Sequence, residues 1–287
     1  MQSLGALAGL AIGDALGAPL ENLPVPQRLI TTMGSGGVHG VRRGTITDDT
    51  LQAIAIAESL IKCRGFAPEE LISRFLEGYH LHPEFYGPTS SAVFELIIKG
   101  FTAREAAEIV RREQGGGRSN GCVMRGAPLG IWYAAPEIRA VSIACACLTH
   151  ADPVACECSA FFNHMISELC RGRSRETAYS HALSACQEEE VRERLTDLHL
   201  HPLIPSLDAL EATHCATAIC ITSSSFRDTV VRGVNLGGDA DTIGALCGAL
   251  AGAYWGIDAI PEDWKADLRE WEMVVDLAGR LATAARP

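Results

Sequence analysis

An all-α fold is what this sequence predicts, and three observations carry the prediction. Apolar residues recur at helical spacing almost throughout, as in Leu51, Ile54, Ile56, Leu60 and Ile61. No segment alternates convincingly with period two, and no Asn-Gly or Asp-Gly pair stands between β-branched runs. Hydrophobic residues make up 47% of the chain but aromatics only 6%, so the core must be built from Leu, Ile, Val and Ala. Alanine-rich apolar stretches favour helix.

Taken in order, the elements carry local start signals. Pro68 sits at a favourable first-turn position ahead of residues 69–79. Thr102 and Glu105 form a capping box before residues 106–113. Ser174 can cap residues 175–186, and Ser225 can cap 226–236. The last helix is expected from about Ala266 to Ala284. No solenoid repeat and no Ser/Pro-rich linker divides the chain, so residues 1–287 read as a single domain.

Charge and cysteine usage narrow the function classes. Thirty-five acidic residues against 24 basic ones give a formal net charge of -11, the opposite balance from a nucleic-acid binder. Residues 1–17 lack a basic leader and are interrupted by Asp14, so they read as neither signal peptide nor membrane span. The apolar run from Ile243 to Ile257 is too short to span a bilayer. Eleven cysteines with no export signal imply a reducing, cytoplasmic setting with free thiols. The pairs Cys145/Cys147 and Cys156/Cys158 have one-residue gaps, whereas zinc sites use gaps of about two to four. They read as small core residues.

The unusual composition lies in the loops 21–44, 87–91, 115–121, 149–153, 198–205 and 237–242. Loops presented by a rigid bundle are where chemistry tends to sit. Two short acidic segments about 190 residues apart look alike, each opening an apolar helical stretch. One is Thr47-Asp48-Asp49-Thr50; the other is Asp239-Ala240-Asp241-Thr242, approached by Gly237-Gly238. At a helix N-terminus both acids of a pair can converge on one point, and carboxylate, hydroxyl and carbonyl oxygens are what hard cations take. A capping role would account for one Asp in each segment, not for a pair flanked by threonines. Glu21 is a third acid of interest. Asp14, in an apolar helix, is expected to be hydrogen-bonded and to support the site rather than perform its chemistry.

Residues 115–125, beginning Gly115-Gly116-Gly117-Arg118-Ser119-Asn120-Gly121, lead into an apolar helix and suit close approach to a phosphate. They form neither a Walker loop nor a Rossmann turn. His150, in the turn 149–153, is structural or donates to a ribose hydroxyl or a phosphate. The 198–205 segment reads as a rigid connector in preference to a lid.

In this order the segments at 9–21, 47–50, 119–128, 149–153 and 234–256 resemble the ADP-ribosylglycohydrolase family. The resemblance implies an all-α domain with a loop-built cleft holding two divalent cations, Mg²⁺ or Mn²⁺. It implies Thr47, Asp48 and Asp49 as ligands from one side and Asp239, Asp241 and Thr242 from the other. Glu21 falls where the family places a glutamate near the scissile bond, so Glu21, Asp48 and Asp49 are the catalytic candidates. Gly116, Gly117, Ser119, Asn120 and Gly121 would line the diphosphate and ribose, joined by His150 and, at the end of the same stretch, Met124. Two departures stand out. Arg118 replaces an aromatic that stacks on adenine in some members, although arginine also stacks on bases. Phe85 replaces an aspartate found in some dinitrogenase reductase-activating members, which leaves the acceptor open.

The implied reaction is hydrolysis of the bond between ADP-ribose and an acceptor on a protein or small molecule, with arginine first and serine-linked or O-acetyl-ADP-ribose as alternatives. A monomer with no nucleic-acid or membrane partner is expected. A different metal hydrolase acting on a phosphate ester, and a non-catalytic ADP-ribose binder or structural protein, stay open as competing readings.

Overall fold

The computed structural model describes residues 1–113 and 117–285. Among them the helices are α1 (Gln2–Gly17), α2 (Asp48–Cys63), α3 (Pro68–Leu81), α4 (Pro88–Ile98), α5 (Ala103–Glu113), α6 (Gly121–Met124), α7 (Ala127–Trp132), α8 (Glu137–Ala146), α9 (Pro153–Cys170), α10 (Arg175–Ala185), α11 (Glu189–Thr196), α12 (Ala209–Thr222), α13 (Phe226–Val234), α14 (Ala240–Trp255), α15 (Glu262–Asp267) and α16 (Trp271–Ala284). Among the described residues only isolated bridges, no strands, interrupt this all-α architecture. Pro68 opens α3, Thr102 and Glu105 form the reciprocal capping box, and the Ser174 and Ser225 hydroxyls cap α10 and α13.

The organising contact is a glycine seam between α1 and α14. Gly5, Gly9 and Gly13 recur every fourth residue and so share one face of α1. They meet Gly252, Gly248 and Gly244 of α14, which runs antiparallel to it. A Cβ on Gly13 would lie 1.8 Å from the Gly244 carbonyl oxygen, and one on Gly248 would lie 1.9 Å from that of Gly9. Only glycine lets two backbones approach this closely. The seam brings the C-terminal end of α1, with Asp14 and the following Glu21, beside the N-terminus of α14, with Asp239 and Asp241.

Residues 2–20 are long and apolar enough to cross a membrane by composition, yet most of this stretch is buried inside the fold. Here it is the central core helix. α9 is likewise buried almost along its whole length.

One expected element is different. The helix anticipated over 266–284 is two, α15 and α16, separated at 268–270. Gly44 packs so closely there that a Cβ would lie 1.9 Å from the Asp267 carbonyl oxygen, and the Arg269 amide donates to the Gly44 carbonyl instead of continuing a helix. Arg43 pairs with Asp267 alongside. A distant loop, not a local breaker, ends α15.

Candidate active site

The first acidic segment is held from below. Asp14 is fully buried in α1 and accepts hydrogen bonds from the Thr47 amide and hydroxyl and from the Thr50 amide and hydroxyl. These bonds pin the start of α2. Neither Thr47 nor Asp239, the residues at the two N-cap positions, makes a side-chain cap bond, while Asp241 Oδ1 accepts from the adjacent Thr242 amide at 2.9 Å.

The second segment is aimed by its glycines. Gly237 and Gly238 both adopt left-handed backbone, and a Cβ on Gly238 would lie 2.1 Å from the Pro205 carbonyl oxygen. Gly238 pairs with Leu23, its amide donating to the Leu23 carbonyl at 2.8 Å while its own carbonyl accepts from the Asn22 amide at 2.7 Å. That pairing ties the Glu21 loop to the entry of α14. The 198–205 segment is anchored as well, with the Leu198 carbonyl 2.9 Å from His214 Nε2.

The outcome is one cavity of about 50 Å³ whose walls include five carboxylates: Glu21, Asp48, Asp49, Asp239 and Asp241. Ser119, Asn120, Gly121, Met124 and Thr242 share the lining, with Ser90, Phe85 and Leu207. Two acidic segments about 190 residues apart in sequence therefore face each other, and the end of the glycine loop joins them. A larger cavity of about 1150 Å³ lies between α5 and the turn after α8, and none of these residues lines it.

The electrostatics are severe. Burial first, and then the neighbouring carboxylates, push Asp48, Asp49 and Asp241 well above the usual carboxylate range. Burial raises Asp239 to about 6, against the opposing hydrogen bond from Asn120. Asp49 Oδ1 is buried with no hydrogen-bond partner, a costly state for a carboxylate oxygen. No Lys or Arg is among the described residues that line the cavity.

This donor set fits a hard divalent cation. Every candidate ligand offers oxygen, the carboxylates converge from two helices, and one carboxylate oxygen waits for a partner. Among the described residues no three such donors are drawn together as a finished ligand set.

The sequence-identified residues do not all reach the lining. Thr47 stands behind it, with its hydroxyl spent on Asp14 at 2.8 Å. His150 is 1% exposed behind Ser119, whose Oγ lies 2.9 Å from its Nε2. Burial, and then Arg125, depress its pKa to about 3, so the ring is neutral. Arg118 faces away, its guanidinium pairing with Asp208 at 2.6 Å and Glu190 at 2.7 Å. Instead of lying open for base stacking, it staples the loop to the N-terminus of α12. Gly117 is half-buried outside the lining, and Gly116 lies outside the described residues.

Other residues had no sequence signal. His39 Nε2 lies 3.0 Å from Glu21 Oε2, while Asn22 donates to Oε1. Arg125, fully buried, donates to Gln52 and Thr149. Gln52 in turn donates to Asp48 Oδ2 at 2.9 Å, and Thr149 Oγ1 contacts His150 Nδ1 at 2.8 Å. One buried guanidinium thus links the first acidic segment to the His150 turn. Only the polarity of Gln52 and Arg125 within apolar stretches hints at this.

A family model for ADP-ribosylglycohydrolase matches residues 2–287. The chain belongs to the ADP-ribosylglycohydrolase family. It is 30% identical to the ADP-ribosylarginine hydrolase Tri1 of Serratia proteamaculans over 96% of this chain and 78% of that one. It is 29% identical to the ADP-ribosyl-[dinitrogen reductase] glycohydrolase of Rhodospirillum rubrum, covering 93% and 90%. Against the human ADP-ribosylhydrolase ARH3 the identity is 25%, covering 96% and 92%. A solved structure of an ADP-ribosylglycohydrolase-related protein complex superposes with a TM-score of 0.88 at 32% identity, over 99% of this chain and 98% of that one. ADP-ribosylglycohydrolases are enzymes, generally dependent on divalent metal. The all-α fold of this family member is the one its helical periodicity anticipated.

Proposed function

We propose that this chain is a metal-dependent hydrolase that releases ADP-ribose from an arginine side chain of a modified protein, using two Mg²⁺ or Mn²⁺ ions. The observation that carries this reading is the meeting of the two acidic segments at one cavity around an unpartnered Asp49 oxygen. Arginine is the first acceptor because a cluster of carboxylates suits a guanidinium as well as metal, and the Serratia relative is named for that substrate.

Asp48 and Asp49 from α2, with Asp239, Asp241 and Thr242 at the start of α14, would hold the cations, and Thr47 would support them through Asp14. When bound, the cations supply Lewis acidity toward the ribose hydroxyls and an activated water. The chain's own residues do the rest. Cleavage at the anomeric carbon passes through an oxocarbenium-like state, which the flanking carboxylates favour electrostatically. Glu21, half-buried and steadied by His39 and Asn22, is the carboxylate placed to take or give a proton at its Oε atoms. Ser119, backed by neutral His150, offers a hydroxyl to the ribose-diphosphate. A space of about 50 Å³ suits ions and a water, whose share of the liquid is about 30 Å³. The nucleotide would extend outward past Ser119.

Incubation with ADP-ribosyl-arginine, with Mg²⁺, with Mn²⁺ and with chelator tests this. Metal-dependent appearance of free ADP-ribose is expected, abolished in Asp48→Ala and Asp241→Ala. Full turnover by both variants would sink the metal-site reading. Release of phosphate or AMP instead would make the chain a phosphoester hydrolase. No release from ADP-ribosyl-arginine with either metal would remove arginine as acceptor.

A further inference from the structure

The cysteine pairs adjacent in sequence are not the pair that meets in space. Cys147, at the end of α8, lies with its Sγ 3.7 Å from that of Cys156 in the first turn of α9. The two bracket the turn that carries Thr149 and His150. Cys147 is half-buried and opens into the 1150 Å³ cavity beside Arg104 and Arg112, whereas Cys156 is buried behind it. Their sequence neighbours Cys145 and Cys158 are both buried in the core.

We propose that Cys147 and Cys156 form a reversible dithiol–disulfide site, with Cys147 as the thiol that attacks a hydroperoxide and Cys156 as the resolving thiol. The geometry supplies what such a site needs: an accessible sulfur, a second sulfur at van der Waals contact, and an open pocket, lined by Arg104 and Arg112 as well as Glu105 and Glu108, through which a small oxidant enters. Cys147 is also the thiol held low, to about 7, first by the contact with Cys156 and then by Arg104.

The chemistry balances. The Cys147 thiolate attacks the peroxide O–O bond, takes one oxygen as sulfenic acid, and releases alkoxide or hydroxide. The Cys156 sulfur then attacks Cys147 and displaces that oxygen as water. Two thiols lose two electrons and two protons, and the hydroperoxide is reduced to an alcohol and water.

The disulfide would act on the neighbouring turn. Cys156 Sγ lies 3.1 Å from the buried His150 carbonyl, to which its thiol donates whenever the proton is not turned toward Cys147, and a disulfide sulfur has none to give. Closing 3.7 Å to a bond of about 2.05 Å also shifts α8 against α9. His150 contacts Ser119 and Thr149, so oxidation is felt at the cleft. This last consequence rests on the proposed function.

The full-length chain, exposed to hydrogen peroxide and then alkylated and digested, reads the proposal by mass. A Cys147–Cys156 crosslinked peptide is expected, reversed by dithiothreitol and absent in Cys147→Ser. In Cys156→Ser a dimedone adduct should accumulate on Cys147. Full alkylation of both thiols after peroxide, measured on the unaltered chain, overturns the site whether or not either variant folds. The oxidised chain should bind ADP-ribose at least about fivefold more weakly, the factor matching a lost hydrogen bond of ~1 kcal/mol. Unchanged affinity with the crosslink formed overturns the coupling to His150. A reduced chain that binds no ADP-ribose yet closes the crosslink counts against the proposed function and leaves the disulfide site standing.

Discussion

The α1–α14 seam and the cleft at its end are adjacent and opposite in character. In the seam, two helices touch backbone to backbone, without charge and without space for one methyl group. In the cleft, carboxylates are buried against one another and Asp49 keeps an oxygen unpartnered. The seam is built for rigidity; the cleft keeps an electrostatic cost that a cation would relieve. The difference teaches that the fold and the site demand different things of the same two helices. Close packing fixes where α1 and α14 end, and that placement forces acids together which would otherwise separate.

Substitution should divide along this line, and the largest effect belongs to the seam. Gly13→Val should cost at least about 3 kcal/mol, the upper range for overpacking, or prevent soluble folding altogether. Thermal denaturation reads it. Gly279→Ala in α16, where an added Cβ meets nothing, should be neutral or stabilising by up to ~1 kcal/mol. Equal losses at both positions would erase the special status of the seam.

In the cleft the effect should fall on activity instead. Asp49→Asn and Asp241→Asn should lower ADP-ribose release by more than about 100-fold, exceeding the loss typical of residues that merely support a metal site. Without metal their melting temperatures should match or exceed that of the unaltered chain, since a repelling carboxylate is gone. Added Mn²⁺ should raise the melting temperature of the unaltered chain only. Destabilised apo variants would place these acids with the structural residues.

His39→Gln probes the mouth of the cleft. Loss of the Glu21 partner should reduce kcat roughly 10-fold, as for other supporting residues, with KM and thermal stability little changed. A pure KM effect would make His39 a substrate contact. The smallest effect is expected at Arg118, whose side chain is about one-third exposed and whose partner Glu190 is about half exposed. Arg118→Ala should cost no more than about 1 kcal/mol and leave KM within about threefold. A tenfold rise in KM would return Arg118 to direct contact with the base.

Much of the helical frame was legible because its signals are local. Pro68 presets the first turn of α3, and Thr102 with Glu105, Ser174 and Ser225 start their helices through bonds spanning three residues, neighbours that sequence order preserves. The break at 268–270 was illegible because Gly44 causes it from more than 200 residues away. The candidate site divides similarly. The acidic segments stood out by composition, whereas the path from Asp48 through Gln52, Arg125 and Thr149 to His150 leaves only the polarity of Gln52 and Arg125 within apolar stretches as its trace. Arg118 and His150 drew notice through their neighbours in the chain, yet their side chains answer to Asp208, Glu190 and Ser119.

By itself the sequence determined that the chain is helical, which segments bear carboxylates, and to which family it is similar, since helix period and side-chain chemistry are written residue by residue. Only the tertiary structure decided that Glu21, Asp48, Asp49, Asp239 and Asp241 share one cavity, that Thr47 and His150 stand behind it, and that Cys147 meets Cys156 instead of Cys145. Those are distances between residues far apart in the chain or on different helices, and the packing of whole helices sets them.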